Sequence, residues 1–525
     1  MRYFVLATDY DNTLADHNVV LAETRKAIDA LKKSGRSLVL VTGRMLDDLL
    51  QTFEGSDVCD AIIAENGAVL YLPKTKERVA LAPAPPPAFL DALRRRGVPF
   101  VAGQSIVATE QPHDVAVLEA IKELALELHI VFNKGAVMVL PTGVNKASGL
   151  AAALERLGFS AHNAAGIGDA ENDHAFLHAC EFAAAVANAL PSLRDEADLV
   201  TSKPAGAGVA ELIEAMIEDD LLRFAARLQR RTIEIGKDPA SGAAVTLDPY
   251  TAGGVLVAGS SQSGKSKLAL AIVERLMAKG YQLCIFDPEG DYEPPFGGAL
   301  ALGDPQTPPR PEQVEAVLAK PGQSLILNLL GVPIEARPQF VDEILPSMLK
   351  LRERTGRPHW LVFDEAHHFF PAERRGDALL SALSSGTLYV TVNAGLLSPA
   401  VRENVERCIL MPPPFVPVEP ETPRERHRRK YAKGELRDKS FVFTGPHDRM
   451  QLRAKNLQTF VELARGLDDE TWTYHLRNGD YARWFGETLG DDELACVAAS
   501  AERASSGDSR STIVEAIERR YTASA

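Results

Sequence analysis

An α/β fold built on two separate parallel sheets is the architecture this sequence predicts, and three observations carry it. Apolar stretches of strand length alternate with helical stretches twice over, in residues 1–75 and again from about residue 244. Acidic or glycine-rich loops follow those apolar stretches directly, at the sheet edge where open parallel sheets gather ligand-binding residues. At 525 residues the chain is too long for one core, so about two to four domains are expected.

The elements follow in order. "YFVLATDYD" reads as a strand, "AETRKAIDALKKSG" as an amphipathic helix ending at Gly35, "RSLVLVTGR" as a second strand and "AIIAENGAVLY" as a third. From the proline cluster near residue 82 to about Pro141 the pattern becomes helix, strand, helix and two short strands, a small α+β insert. Alternation then resumes through "GLAAALERLG", "AAGIGDAEND" and "EFAAAVANA". The first part therefore divides into a core of residues 1–81 and 141–210 and a cap insert of residues 82–140.

"GVAELIEAMIEDDLLRFAARLQRR" reads as one long helix, which makes residues 211–235 a linker helix. The second series occupies residues 236–412 and runs through "GVLVAGSSQSGKSKLALAIVERLMAKG", "YQLCIFDPEGDY", "SLILNLL", "HWLVFDEAHHF" and "TLYVTVN". The proline-rich "MPPPFVPVEPETP", residues 411–423, reads as a linker or an edge extension. Residues 413–525 then comprise that linker and a helical C-terminal module, with Trp472, Tyr474, Tyr481 and Trp484 as core or interface anchors. There is no internal repeat.

Composition narrows the function classes. A net charge of −14 argues against a chain that coats nucleic acid without specificity, although it leaves room for a local basic channel. The five cysteines are scattered singly, which fits a reduced compartment and neither a disulfide framework nor a zinc ribbon. The N-terminus turns polar too early for a signal peptide, and no apolar run approaches the ~20 residues of a membrane span. A cytoplasmic protein without a membrane partner is expected.

Four short stretches point to phosphoryl transfer. Asp9 and Asp11, with Thr13, end the first strand, and Thr42, Gly43 and Arg44 end the second. Lys146 enters a helix, and Asp169, Asn172 and Asp173 follow another strand-like run. Asp9 would attack phosphorus to form an aspartyl-phosphate. A carboxylate approaching an anionic phosphate needs a cation, and Mg²⁺ prefers oxygen ligands, which Asp9, the main-chain carbonyl of Asp11 and Asp169 could supply with Asp173 in support. Asp11 would serve as general acid and base, and Thr42 and Lys146 would hold the phosphate oxygens. Arg44 could contact substrate or pair with a surface carboxylate.

"DYDNT", "VTGR", "NKASGL" and "GDAEND" in this order resemble the haloacid-dehalogenase superfamily of phosphatases. The insert between the second and third motifs looks like the α/β cap of its Cof-type sugar-phosphatase branch. The resemblance covers residues 1 to about 210 and implies a Rossmann-like sheet with a small cap. "AENGAVLY" matches a stretch of that branch, so Asn66 and Gly67 would line the pocket with Thr13 and Asn172. The short cap, about 60 residues, would leave the crevice open enough for a large substrate.

"GSSQSGKS", residues 259–266, fits the phosphate-loop pattern in its required setting between an apolar strand and a helix. Gly259, Ser263 and Gly264 would let main-chain N–H groups wrap the phosphates at a helix N-terminus. Lys265 would reach the β/γ-phosphates, Ser266 would bind Mg²⁺, and Lys267 would complete the nucleotide contact. Asp364 suits the magnesium shell and Glu365 the attacking water, while Thr391 and Asn393 are candidates for sensing the γ-phosphate. His367 and His368 read as packing or surface residues, since no further ligand is spaced for zinc.

"GSSQSGKS", "IFDPEGDY" and "LVFDEAHH" resemble the HerA/FtsK-like ATPases over residues 230 to about 412, which implies a RecA-like P-loop domain. That resemblance implies ATP as ligand, a homo-oligomer such as a hexameric ring, and an arginine donated by the neighbouring subunit. Arg402 and Arg407 are candidates, although each singly reads as ordinary surface charge. Asp287, Glu289 and Asp291 would end the strand beside the phosphate-loop strand. "RERHRRKYAK", residues 424–433, carries six Lys or Arg against one Glu and reads as a solvated face or an intramolecular partner of acids more readily than as a nucleic-acid contact.

The expected function is therefore bifunctional, a Mg²⁺-dependent phosphatase fused to an ATPase that drives or regulates an oligomer. A small phosphorylated metabolite is the favoured substrate, with a nucleic-acid end as the alternative. The competing classes are a nucleic-acid processing machine and a nucleotide-sensing scaffold.

Overall fold

Val5–Thr8, Ala61–Ala64 and Ala164–Gly168 are apolar or small along their whole length and buried at every position, as strands covered on both faces must be. The structure, a computed structural model, describes residues 1–133, 135–250, 253–292, 298–374, 378–383, 385–421, 428–503 and 508–522. It falls into two units. One comprises Met1–Thr232 with Ala319–Gly322 and Lys350–Arg357, and the other Ile233–Leu318, Gln323–Leu349 and Pro358–Ala525. No helix among the described residues is long and apolar enough to cross a membrane.

In the first unit those strands belong to an eight-stranded sheet. Its order is Leu199–Val200, Phe182–Ala185, Ala164–Gly168, Val5–Thr8, Ser37–Val41, Ala61–Ala64, Val69–Leu72 and Glu77–Ala80. The first six run parallel, Val69–Leu72 pairs antiparallel with Ala61–Ala64, and Glu77–Ala80 pairs antiparallel with Val69–Leu72. Helix Ala22–Lys33 shows how a crossover packs: Thr24, Ile28 and Leu31 share one face and are buried, and Lys32 and Lys33 complement the C-terminal dipole. Gly35, at φ +84°, ends it in the left-handed conformation that glycine tolerates.

The insert forms its own four-stranded antiparallel sheet, in the order Val101–Ala102, Val107–Glu110, Ala136–Pro141 and Leu128–Asn133. Helices Pro87–Arg95 and Asp114–Glu123 cover it, burying Phe89, Leu93, Val117 and Ile121 against Val107 and Val139.

The long linker helix is corrected. Helix Ala205–Asp219 stops where Asp220 and Leu221 both turn left-handed, and Leu222–Arg227 continues only as a 3₁₀ turn. Asp220 explains the stop, because its carboxylate accepts from Arg36 Nη2 at 2.8 Å and from the main chain of Arg2. The helix buries Val209, Leu212, Ile213 and Met216 in the core of the first unit, and a strand already begins at Ile233.

The second unit carries a seven-stranded parallel sheet. Its order is Leu300–Leu302, Leu325–Asn328, Leu283–Asp287, Trp360–Phe363, Thr387–Thr391, Gly254–Ala258 and Val405–Leu410. The phosphate-loop strand Gly254–Ala258 therefore lies between Thr387–Thr391 and Val405–Leu410. The expectation that the Asp287 strand stands beside it is corrected, for two strands intervene. Of the proline-rich stretch, Val416–Pro417 pairs antiparallel with Gly236–Lys237 and so extends a small sheet edge, while residues 422 and 423 lie outside the described residues.

The C-terminal module is mostly helical. Helix Arg428–Lys433 precedes a hairpin of Phe441–Phe443 and Leu452–Ala454, and helices Leu457–Gly466, Asp469–Arg477 and Asp492–Arg503 follow. Trp472, Tyr481 and Trp484 are buried in its core, with Trp472 stacked on Tyr481 at 4.4 Å between ring centroids, whereas Tyr474 is half-buried.

Candidate functional site

The first site gathers at the carboxyl end of the central strand of the first sheet. Asp9 follows Val5–Thr8, is 5% exposed, and donates its main-chain N–H to Ile167 O at 3.0 Å. Lys146 is the first residue of helix Lys146–Leu157, whose N-cap Asn145 accepts at Oδ1 from Ser148 N at 2.9 Å and donates its own main-chain N–H to Ser148 Oγ at 3.0 Å. Lys146 Nζ then reaches Asp9 Oδ1 at 2.6 Å and Asp173 Oδ1 at 2.5 Å. The other oxygen of Asp173 accepts from the main-chain N–H groups of Asp169 and Ala170, at 2.8 and 3.0 Å. A Cβ at Gly168 would come within 2.6 Å of that oxygen, so only glycine admits the carboxylate there.

Asp9, Asp169 and Asp173 place one carboxylate oxygen each within 4.8 Å of one another, and Thr13 Oγ1 donates to Asp169 Oδ1 at 3.2 Å. Two of these three buried carboxylates, Asp9 and Asp173, share Lys146. Burial pushes the Asp9 carboxyl up to about 8 against the pull of Lys146, with Asp173 and Asp169 adding to the rise. This donor set fits a hard divalent cation such as Mg²⁺, which takes carboxylate oxygens and would relieve the excess negative charge. It is the one cluster of metal-ligating type among the described residues.

Asp11 stands apart from that trio. Its carboxylate is gripped by Arg44, with Nε on Oδ2 at 2.9 Å and Nη2 on Oδ1 at 2.7 Å. Arg44 also reaches Asp48 at 3.0 Å, so of its two readings the structure shows the pairing with carboxylates. Thr42 is fully buried, and its hydroxyl accepts from Arg44 N at 3.1 Å. Asn66, left-handed at φ +53°, accepts at Oδ1 from Asn172 Nδ2 at 2.9 Å and donates to Met138 of the insert. A Cβ at Gly43 would press to 3.2 Å on both Asn66 and Met138.

Two residues here were not singled out in the sequence. Glu65 is 3% exposed and accepts from the main-chain N–H groups of Gln104 and Ser105, each at 2.9 Å, tying the core turn to the insert. Met138 lies on an insert strand facing Asn66. Glu65 lies within the quoted "AENGAVLY" and Met138 in no motif, and the contacts of both run between segments remote in sequence.

Gly67 fixes the approach of this turn to Lys146. It sits at φ +105°, and a Cβ there would lie 1.9 Å from the carbonyl oxygen of Asn145. Gly67→Ala is expected to cost about 2 kcal/mol or more and to lower turnover by displacing the Lys146 helix. Urea unfolding and phosphate-release assays on the same variant check it.

The second site forms behind Gly254–Ala258. Gly259 N–H donates to Thr391 O at 3.2 Å, and Gly264, at φ +90°, opens helix Lys265–Ala278. A Cβ at Gly259 would meet Ser263 Oγ at 2.6 Å. That hydroxyl is buried and has no hydrogen-bond partner among the described residues, which fits a loop awaiting phosphate oxygens. Lys265 is 1% exposed with Nζ 3.9 Å from Glu365 Oε1, and Ser266 is buried beside it.

Asp364 and Glu365 end the strand Trp360–Phe363. Asp364 Oδ1 accepts from the Glu365 main chain at 3.0 Å, and Glu365 is held left-handed at φ +45°, a strained state for a residue with a side chain. His367 Nδ1 lies 3.1 Å from Thr391 Oγ1 and 3.7 Å from Glu365 Oε2, which links the strand between the two motifs to the acid.

Two assignments to nucleotide binding do not match the side chains. Lys267 points outward to Glu419 at 3.3 Å, and Asn393 is exposed with Oδ1 capping Gly395 N at 2.8 Å. Helix position explains the first, since a residue two beyond Lys265 lies on the opposite face. Glu289 pairs with Lys430, and Asp287 accepts from the main chain of Asp291 and Tyr292 at 3.0 and 2.8 Å. Arg402 is exposed, and Arg407 donates to Thr246 O at 2.7 Å.

His368 packs against Arg337, with Nδ1 2.7 Å from Nη1. Burial, reinforced by Arg337 and His367, pushes the imidazole down to about 3. Its folded value lies below the unfolded one, so the stability it contributes is present above the ordinary value of 6.5 and is lost as pH falls toward 3. His368→Gln is expected to flatten the fall in stability between about pH 7 and 5 by on the order of 1 kcal/mol, read from denaturant titrations at each pH.

One sheet gathers Lys146 and three carboxylates at its edge and the other is followed by the GSSQSGKS loop, the layout of a phosphohydrolase-type domain joined to a P-loop-type domain. Residues 6–97 and 103–213 match the haloacid dehalogenase-like hydrolase family, and residues 233–336 match the central domain of helicase HerA. Similar proteins include one named phosphoglycolate phosphatase from Methanothermobacter thermautotrophicus, 32% identical over 40% of this chain and 96% of that protein. Another of that name, from Archaeoglobus fulgidus, is 30% identical over 40% of this chain and 95% of its own length. A crystal structure of a haloacid dehalogenase-like hydrolase from Bacteroides thetaiotaomicron aligns with 41% of this chain and all of its own, at 18% identity and a TM-score of 0.36. The chain belongs to the haloacid dehalogenase-like hydrolase family through its N-terminal part, and a HerA-like ATPase domain is fused behind it.

Proposed function

We propose that the first unit hydrolyses a small phosphomonoester through an aspartyl-phosphate on Asp9, and that the second hydrolyses ATP. The convergence of Lys146 on Asp9 and Asp173, beside Asp169, carries the reading. Asp9 forms a bond to phosphorus as the ester oxygen leaves, and water then releases phosphate and restores the carboxylate. Asp11 carries the proton to the leaving oxygen and later takes one from water, and Arg44 sets where its carboxyl rests before substrate enters.

Lys146, a buried point charge, would hold the non-bridging oxygens, and Thr42, Gly43, Asn66 and Asn172 would line the substrate pocket. Mg²⁺, held by Asp9, Asp169 and Asp173 with Asp11, would offset the repulsion between carboxylate and phosphate. In the second unit Gly259, Ser263, Gly264, Lys265 and Ser266 hold the phosphates, Asp364 serves the nucleotide's Mg²⁺, and Glu365 polarises water. ATP turnover regulates assembly of identical chains.

The substrate is a small phosphorylated acid of the kind named in the similar phosphoglycolate phosphatases. The test is phosphate release from phosphoglycolate, sugar phosphates, nucleotides and phosphorylated oligonucleotides, with Asp9→Asn as blank and with or without ATP. Fastest release from phosphoglycolate supports this reading. Release from oligonucleotides alone overturns it.

A further inference from the structure

The charge run in residues 424–433 has a structural counterpart away from both sites. Residues 424–427 lie outside the described residues, but Lys430 and Lys433 line a cavity of about 600 Å³ in the second unit. One wall is formed by the loops behind strands Leu283–Asp287 and Leu325–Asn328, that is, by the ligand-binding edge of the parallel sheet. The opposite wall is the start of the C-terminal module. Among the described residues, six cations line the space: Arg337, Lys430, Lys433, Arg437, Lys439 and Lys455. Of the described lining residues only Glu289, Glu435 and Asp438 oppose them, in a chain whose net charge is −14.

Lys430 is committed to Glu289, and Arg437 pairs with Glu335 at 3.2 Å. Lys433, Lys439 and Lys455 are exposed at the cavity. Arg337, 5% exposed, is anchored by Pro288 O at 3.1 Å and Val332 O at 3.2 Å. It leads directly to the second site. Its Nη1 is 2.7 Å from His368, whose ring lies 4.4 Å from that of His367, and His367 touches Thr391 and faces Glu365.

We infer that this cavity is a regulatory site for a phosphate-bearing anion of nucleotide size, and that Arg337, His368 and His367 carry its occupancy to Glu365. The volume suits one such ligand, and clustered lysines with a buried arginine are the donors that bind phosphate. The phosphate can belong to a free polyphosphate or to one unit of a nucleic-acid strand. Arg337 and His368 are positioning residues, since neither reaches the nucleotide loop. The coupling rests on reading the Lys265 pocket as an ATP hydrolase.

The experiment uses the full chain with ADP saturating the phosphate loop. Binding of inorganic tripolyphosphate is measured by calorimetry and of a labelled 12-nucleotide single strand by fluorescence anisotropy, each across a salt series. At least one probe is expected to bind, about ten-fold more weakly in the Lys433→Glu and Lys455→Glu variants, with the salt slope reduced by about 1 for each lysine. In separate assays without added ADP, saturating probe is expected to change steady-state ATP turnover at least about three-fold, and His368→Gln to keep the binding and lose that response.

Binding of the strand alone assigns the ligand to nucleic acid, and equal binding of tripolyphosphate assigns it to a free anion. Failure of both probes to bind, or binding indifferent to both charge reversals, overturns the site. Binding with unchanged ATP turnover overturns the coupling. Lysine-dependent binding in a chain that hydrolyses no ATP supports the site while overturning the ATPase reading, so the two failures are separable.

Discussion

Asp9→Asn is expected to lower phosphate release by roughly 10³-fold to 10⁶-fold without destabilising the first unit. The loss follows from removing the nucleophile, since an amide oxygen cannot form the covalent ester. The stability follows from charge. Asp9 is buried among two further carboxylates, and Lys146 keeps Asp173 as a partner when Asp9 is neutralised.

The pH dependence sharpens this prediction. The Asp9 carboxyl is raised from its ordinary value of 3.8 to about 8, chiefly by burial. Its contribution to stability is therefore complete below about pH 4 and is lost as pH rises through about 8, the reverse of a salt-bridged surface acid. In chelator, thermal melts of the parent chain should fall over that window, and Asp9→Asn should flatten the fall. A variant that unfolds more readily than the parent at pH 8 would contradict the charge argument.

Lys265→Ala is expected to cut ATP hydrolysis by on the order of 10²-fold to 10³-fold while leaving phosphate release from the Asp9 site within about two-fold of the parent. Lys265 is 1% exposed and stands 3.9 Å from Glu365, so its ammonium is a fixed positive charge close to the acid that would polarise water. Alanine leaves the helix intact but removes that charge from a site shielded from solvent, where it is worth most. Parallel assays of ATP turnover and phosphomonoester hydrolysis on one preparation check both halves. A comparable loss of both activities would show that the two centres act as one.

The carboxyl-end clusters were legible because parallel sheets impose them. Each apolar stretch of four or five residues must be a buried strand, and polar residues directly behind it must emerge at the same edge. That logic brought Asp9, Lys146, Asp169 and Asp173 together correctly, and likewise Lys265, Asp364 and Glu365. It failed for the Asp287 strand, since strand order depends on where each crossover returns and not on proximity in sequence. It failed again for Lys267 and Asn393, whose side chains turn to Glu419 and to the main chain of Gly395. The contacts of Glu65 and Met138 were not legible, because their partners lie about 40 and 72 residues away.

By itself the sequence determined the two α/β series, the small α+β insert and the residues at each strand end, because apolar periodicity and glycine or aspartate punctuation are local properties of the chain. Tertiary structure alone decided which strands are neighbours, where the helix after residue 205 stops, how Asp11 is held by Arg44, and how the C-terminal module meets the ATPase sheet to enclose a cationic cavity. Those outcomes depend on contacts between segments tens to hundreds of residues apart, which no local pattern encodes.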